Sequence, residues 1–230
     1  TFDEVTLAPH DLVAILGPML TPQRTERLEY VLDGRTEELA VVIEGMVDLG
    51  NVGAVMRSAD AFGVQPFHTI DTAGAYKRSR RTSQGADKWL DRYRWDDPEA
   101  CVEHLHAEGY VVVAADLVDA RPITDVDLTR RTALVFGNEL SGLTEDLRSL
   151  ADEAAVIPMH GFAESLNISV AAAVTLAEAR RQRTERFGRS GDLTAERRDR
   201  IRAVWYAKSV REYRRVVQRA LDDGYELYGS

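Results

Sequence analysis

"LAVVIEGMVDLGNVGAVMRSADAFGVQPFHTI", residues 39–70, carries a strand, a helix and a second strand in succession. "LAVVIE" (39–44) and "PFHTI" (66–70) are short and almost wholly apolar, the signature of strands buried on both faces. Between them, 52–63 sets Val52, Val55, Met56, Ala59 and Phe62 on one face of a helix at about 100° per residue. Arg57 then points roughly the opposite way. A charge held outward on a packed helix can serve a ligand, or it can simply stay wet, and the helix alone does not choose between the two.

Outward from this unit the alternation continues. Thr21 with Pro22 opens a helix that Gly34 ends. Beyond 70, a basic loop (71–88) leads to a helix at 98–108 and the strand "YVVVAA" (110–115). Then come the strand "TALVF" (132–136), a helix at 143–150, the strand "AAVIP" (154–158) and a long helix at 167–187. Strands alternating with helices predict an α/β fold, a parallel sheet with helices on both faces. Residues 1–20 have the apolar spacing of a helix packing on the body. After a Gly/Ser-bearing break at 187–194, the rest reads as one or two amphipathic helices outside the sheet. The organisation expected is an N-terminal helical extension (1–38), a body (39–187) and a basic helical tail (188–230). No internal repeat is present.

The chain has 230 residues, 44% of them hydrophobic, enough for a sizeable core. No apolar run approaches the roughly 20 residues that span a bilayer, and the N-terminus shows no export pattern, so a cytoplasmic setting without membrane is expected. A single cysteine, Cys101, rules out an internal disulfide and a multi-cysteine metal site. It reads as a packing thiol. His104 and His106 diverge on a helix, so no metal is expected.

A net charge of −9 argues on its face against a nucleic-acid partner. The distribution argues the other way. Residues 77–94, "KRSRRTSQGADKWLDRYR", hold seven basic residues against two acidic, and 180–219 hold fourteen against five. Trp89, Tyr93 and Trp95 add stacking planes to the first stretch. Lys77, Arg78, Arg80, Arg81 and Lys88 are therefore candidate RNA contacts; the plain alternative is two solvated faces.

A basic rim on an α/β sheet suggests a nucleotide cofactor, yet the chain contains neither G-x-G nor G-K-[ST]. What it offers are loops at strand C-termini, where open α/β sheets bind ligands: Ala114 to Asp119, "FGNELSG" (136–142) and "IPMHGFAESLN" (157–167). Here a resemblance becomes definite. "NVGAVMRSADAFGV", "ALVFGNELSGLTEDL" and "IPMHGFAESLNISVAAAVTLAEARRQR" resemble, in order and spacing, the three motifs of the SpoU-type RNA 2′-O-ribose methyltransferases of the SPOUT superfamily. Together they anchor about 40 to 180. "TSQGADKW" (82–89) ahead of a strand, a helix before the sheet and the arginine-rich tail are most similar to the TrmH-like branch, whose implied target is guanosine 18 in the tRNA D-loop.

The resemblance implies a C-terminal trefoil knot, a homodimer with the site at its interface, and methyl transfer from S-adenosylmethionine to a ribose 2′-hydroxyl. The cofactor has no phosphates, which accounts for the missing glycine-rich cradle. Its implied binding residues are Ala115, Leu117, Gly137, Ile157, Met159 and Leu166. Arg57 matches the family's catalytic arginine. Its guanidinium stays protonated and carries no acceptor, so it either works through a substrate phosphate that takes the proton or fixes that phosphate and stabilises alkoxide charge. Asn51 is either the N-cap of its helix or a ribose-positioning amide, and Asn167 could likewise cap a helix. Glu139 matches a supporting glutamate, with a solvated turn acid as the alternative. Ser165 and Asn167 match the polar pair facing the ribose. With about 38 residues ahead of the first strand, a compact tRNA is the expected substrate. The competing readings are a ribosomal-RNA methyltransferase of the same fold and a non-catalytic knotted RNA-binding dimer.

Overall fold

Strand β1 (Leu39–Glu44) is buried along its whole length, and its alternate residues enter two different cores. Leu39, Val41 and Ile43 face helices α3 (Leu49–Ala61) and α6 (Ile168–Phe187), meeting Val52, Val55, Met56 and Ala59 of the one and Ala172, Leu176 and Ala179 of the other. Ala40 and Val42 face α4 (Pro98–Ala107) and α5 (Glu145–Leu150), where Cys101, Val102, Leu105 and Leu147 close the opposite layer. The period of two along the strand thus produces a sheet covered on both sides. Each larger aliphatic side chain so buried contributes about 1.5–3 kcal/mol.

The computed structural model describes residues 7–45, 49–71, 85–138, 142–188 and 191–227. The remaining strands are β2 (Pro66–Ile70), β3 (Asp91–Trp95), β4 (Val111–Ala115), β5 (Arg121–Pro122), β6 (Thr132–Phe136) and β7 (Glu153–Val156). They form one sheet in the order β3-β2-β1-β6-β4-β7-β5, and every described pairing is parallel. Val41 stands opposite Phe67 on one side and Leu134 on the other. The order reverses between β1 and β6.

The strands at 39–44, 66–70 and 132–136 agree with the apolar runs, and the helices end within a few residues of their expected limits. β3, the strand that the TrmH-like resemblance places after 82–89, is absent from the pattern of apolar runs because it is an edge strand. Its "DRYRW" alternates arginines with Tyr93 and Trp95, which reads as a basic stretch and not as a buried run. Side-chain caps fix several helix starts, each contributing about 1 kcal/mol: Asp97 Oδ2 accepts from the Ala100 amide at 2.8 Å, and Thr144 Oγ1 from the Leu147 amide at 3.2 Å.

The chain divides into two units, Thr36–Asp192, which holds the sheet, and a helical unit of Thr1–Arg35 with Leu193–Ser230. In the latter, α1 (Pro9–Leu16) packs on α7 (Ala195–Ser209) and α8 (Tyr213–Asp222), and α2 (Pro22–Asp33) packs on α7. The N-terminal helix expected to pack on the body thus finds its partners in the chain's own C-terminal helices. Glu29 of α2 accepts from both Arg198 and Arg202 of α7, and these bonds, set against the cost of burial, hold its carboxyl below the usual range.

Candidate functional site

The C-terminal ends of β4, β6 and β7 surround a cavity of about 300 Å³. Val113, Leu134, Phe136 and Ala155 of the strands form an apolar floor, and Ile168, Ala171 and Thr175 of α6 close one side. Ala115, Leu117, Gly137, Ile157, Met159 and Leu166, the six residues proposed from sequence for the cofactor, all line it, as does Ser165.

The loop after β6 is held unusually close. Asn138 and Gly142 exchange backbone hydrogen bonds of 2.9 and 2.8 Å, and the Asn138 side-chain amide donates to the Gly45 carbonyl at 2.6 Å. A Cβ on Gly137 would lie 2.3 Å from the Gly142 carbonyl carbon, so only glycine fits there. Gly142 itself has φ +68°, which glycine adopts without cost. The loop then leads into α5, where the Thr144 amide and hydroxyl both donate to the buried Glu44 carboxylate, at 2.8 and 2.6 Å. Glu44 has no motif that marks it in the sequence; its position as the last, polar residue of an otherwise apolar strand is the one signal available.

The loop after β4 is ordered by Asp116. Its Oδ1 accepts from the Leu117 and Val118 amides at 2.6 and 3.2 Å, and its Oδ2 from Arg148 Nε at 2.7 Å. Burial pushes this carboxyl up, but the Arg148 bond and the two amides outweigh it and hold it below the usual carboxylate range.

Asn167 and Asn51 meet: the Asn167 amide donates to Asn51 Oδ1 at 3.2 Å. Asn167 Oδ1 meanwhile accepts from the Ser169 amide at 2.9 Å, so Asn167 does cap α6. Asn51 is not a cap. It lies within the first turn of α3, which begins at Leu49, and this removes the capping alternative for that residue. Arg57 is exposed, as its place on the helix requires. Six residues separate it from Asn51, about 120° around the helix, and neither it nor the asparagine pair belongs to the cavity lining. Glu139, Lys77, Arg78, Arg80 and Arg81 lie outside the described residues.

Lys88 is exposed, its Nζ 4.4 Å from the centroid of the Trp89 ring. The aromatic planes that follow have partners in the neighbouring strand: Tyr93, still 39% exposed, stacks on His68 at 4.6 Å, and Trp95 Nε1 donates to His68 Nδ1 at 3.1 Å. Burial, with a smaller contribution from His104, brings the His68 pKa down to about 3. The arginines at the start of the second basic stretch, on α6, are also partly committed. Arg181 bridges Glu178 and Glu185, and Arg183 is buried against Asp192. Cys101 is fully buried and its thiol is pushed up to about 12 by burial, an inert packing group. Among the described residues no His, Cys, Asp and Glu cluster could hold a metal ion, and no helix is long and apolar enough to cross a membrane.

Comparison with known proteins bears on what this cavity holds. A family model described as the SpoU rRNA Methylase family matches residues 38–177. A tRNA (guanosine(18)-2′-O)-methyltransferase of Thermus thermophilus is 40% identical over 164 residues, 71% of this chain and 84% of that protein. A solved TrmH/SpoU tRNA modifying enzyme of Aquifex aeolicus superposes with TM-score 0.74 at 33% identity, covering 83% of this chain and 98% of that one. The SpoU methyltransferase AviRb of Streptomyces viridochromogenes, solved in complex with the cofactor AdoMet, superposes with TM-score 0.59 at 35% identity, covering 65% of this chain and 59% of that one.

Proposed function

Because the chain belongs to the SpoU rRNA methylase family, we propose that it transfers a methyl group from S-adenosylmethionine to a ribose 2′-hydroxyl of tRNA, with guanosine 18 as the target. The observation that carries the substrate is the extent of the match. The family model stops within the sheet unit, whereas the likeness to the A. aeolicus tRNA enzyme covers 83% of the chain and so continues into the helical unit. Exposing the enzyme and labelled cofactor to total tRNA and to ribosomal RNA, then mapping the 2′-O-methyl group, tests it. Label at guanosine 18 of tRNA is expected; label confined to ribosomal RNA would overturn the reading.

The cavity fits the cofactor. Its floor is apolar, as a purine requires, and Gly137 and Gly142, held in close approach, both line it without a bulky side chain. When bound, S-adenosylmethionine supplies an electrophilic methyl on a sulfonium that departs as a neutral thioether. Ala115, Leu117, Gly137, Ile157, Met159 and Leu166 hold it. Arg57, permanently charged and without an acceptor, fixes a substrate phosphate, which takes the proton of the hydroxyl, and stabilises the alkoxide charge that develops as the oxygen bonds the methyl carbon. Asn51, Ser165 and Asn167 position the ribose, and Glu139 supports the loop in which it stands. Lys77, Arg78, Arg80, Arg81 and Lys88 bind RNA phosphates.

The functional unit in this proposal is a homodimer in the cytoplasm, with the C-terminal part of the sheet threaded as a trefoil knot, an exception to the rule against knots. Two features support the second copy. Phe162, Val170 and Val174 stand exposed, Phe162 completely, and the two valines are four residues apart on one face of α6. Arg57 also faces away from its own chain's packed helix surface, free to serve a site built with a partner.

A further inference from the structure

Two of the three walls of the cavity share a single clamp. Arg148 projects from α5 and donates in three directions: Nε to Asp116 Oδ2 at 2.7 Å, Nη2 to the Leu143 carbonyl at 3.3 Å, and Nη1 to Glu145 Oε2 at 2.7 Å. Asp116 belongs to the loop after β4, and Leu143 to the loop after β6; both line the cavity. The rigid fork of a guanidinium joins a carboxylate and a carbonyl through separate nitrogens in one plane, whereas an ammonium offers a single nitrogen on a flexible stem.

The loop after β4 depends on this clamp because apolar packing does little to hold it. Leu117 is 61% exposed and Val118 51% exposed, and Asp119 takes a positive φ of 49°. What orders the turn is Asp116, bonded to the Leu117 and Val118 amides, and what orients Asp116 is Arg148. Arg148 in turn has a fixed base. Leu147 beside it is buried in the core, and Thr144, the cap of the same helix, is tied to Glu44.

We propose that Arg148 is a positioning residue for the cofactor, setting the distance between the β4 and β6 loops so that Leu117 and Gly137 face one ligand. The proposal rests on the assignment of this cavity to S-adenosylmethionine. Nothing in the three motifs marks Arg148, because it acts through Asp116 and Leu143 and lines no part of the cavity itself.

Calorimetric titration of S-adenosylmethionine into the wild type, R148M, R148K, D116N and the R148M/D116N double variant tests it, together with amide hydrogen exchange on the cofactor-free proteins. R148M and D116N should each weaken cofactor binding about tenfold, and the double variant should be little worse than either, since both remove one clamp. R148K should recover part of the loss, because lysine reaches Asp116 but offers no fork to Leu143. The Leu117 and Val118 amides should exchange faster in R148M without any cofactor. Steady-state kinetics should show a raised KM for the cofactor, with kcat at saturation within about twofold. Wild-type cofactor affinity and unchanged exchange in R148M would overturn the proposal. So would a fall in kcat together with a lowered melting temperature, which would make Arg148 a stability residue only. If the wild type itself binds no S-adenosylmethionine, the methyltransferase reading fails, and the exchange comparison still decides whether Arg148 clamps the two loops.

Discussion

Replacing Gly137 by alanine is the sharpest test of how the cavity is built. The added Cβ would lie 2.3 Å from the Gly142 carbonyl carbon, 2.4 Å from the Leu143 nitrogen and 2.5 Å from the Gly142 oxygen. All three are backbone atoms, and ordinary contact begins at 3.4 Å, so the two strands of the loop must part by roughly 1 Å. That movement breaks the Asn138–Gly142 bridge, two hydrogen bonds of 2.8 and 2.9 Å. Overpacking of this kind costs about 1–3 kcal/mol, which at roughly 2–4 °C for each kcal/mol predicts a melting temperature lower by several degrees. Because Gly137, Gly142 and Leu143 all line the cavity, cofactor affinity should fall at least about tenfold. Gly161 supplies the control: a Cβ there meets nothing within 4 Å, so Gly161→Ala should leave both quantities near wild type. Thermal melts and calorimetric titration of the two variants decide the matter. A Gly137→Ala protein with wild-type melting and wild-type affinity would refute the close-approach argument.

Arg57→Ala should abolish methyl transfer while cofactor affinity stays within a few-fold, since Arg57 stands outside the cavity lining; a single-turnover assay that finds full activity would sink the catalytic assignment. His68 gives a pH effect of defined sign. With its folded pKa at about 3 against 6.5 when free, the unfolded chain takes up a proton below pH 6.5 that the folded chain refuses, so stability falls as pH drops from 6.5 towards 3, by up to about 1.4 kcal/mol per unit. His68→Asn, which keeps an acceptor for Trp95, should flatten that slope in urea titrations, and an unchanged slope would acquit His68. Light scattering should return a dimer; an active monomer at assay concentration would contradict the two-chain site. Removing Arg80 together with Arg81 should weaken tRNA binding and lower the slope of log K against log salt by about one per lost phosphate contact, with cofactor affinity untouched. A constant slope would return both arginines to the solvated surface.

Much of the sheet unit was legible because its information is periodic and local. β1, β2 and β6 announce themselves as short apolar runs, α2 by Thr21 and Pro22 at its start, and α3 by the spacing that buries Val52, Val55, Met56 and Ala59 and turns Arg57 outward. The cavity's position followed from the rule that such sheets bind at strand C-termini, and the motifs named the residues there. Other features depend on partners far along the chain and leave no periodic trace. Glu44 and Thr144 are 100 residues apart, and Arg148 and Asp116 are 32 apart. β3 is a strand only because β2 lies beside it: "DRYRW" has no apolar run of its own, and its Tyr93 and Trp95 are claimed by His68 in the neighbouring strand. The union of Thr1–Arg35 with Leu193–Ser230 in one unit, and the clamp between two cavity loops, were likewise settled by tertiary packing. Periodicity records which face of an element is buried; which distant element buries it, and which polar groups meet there, is decided only when the chain closes on itself.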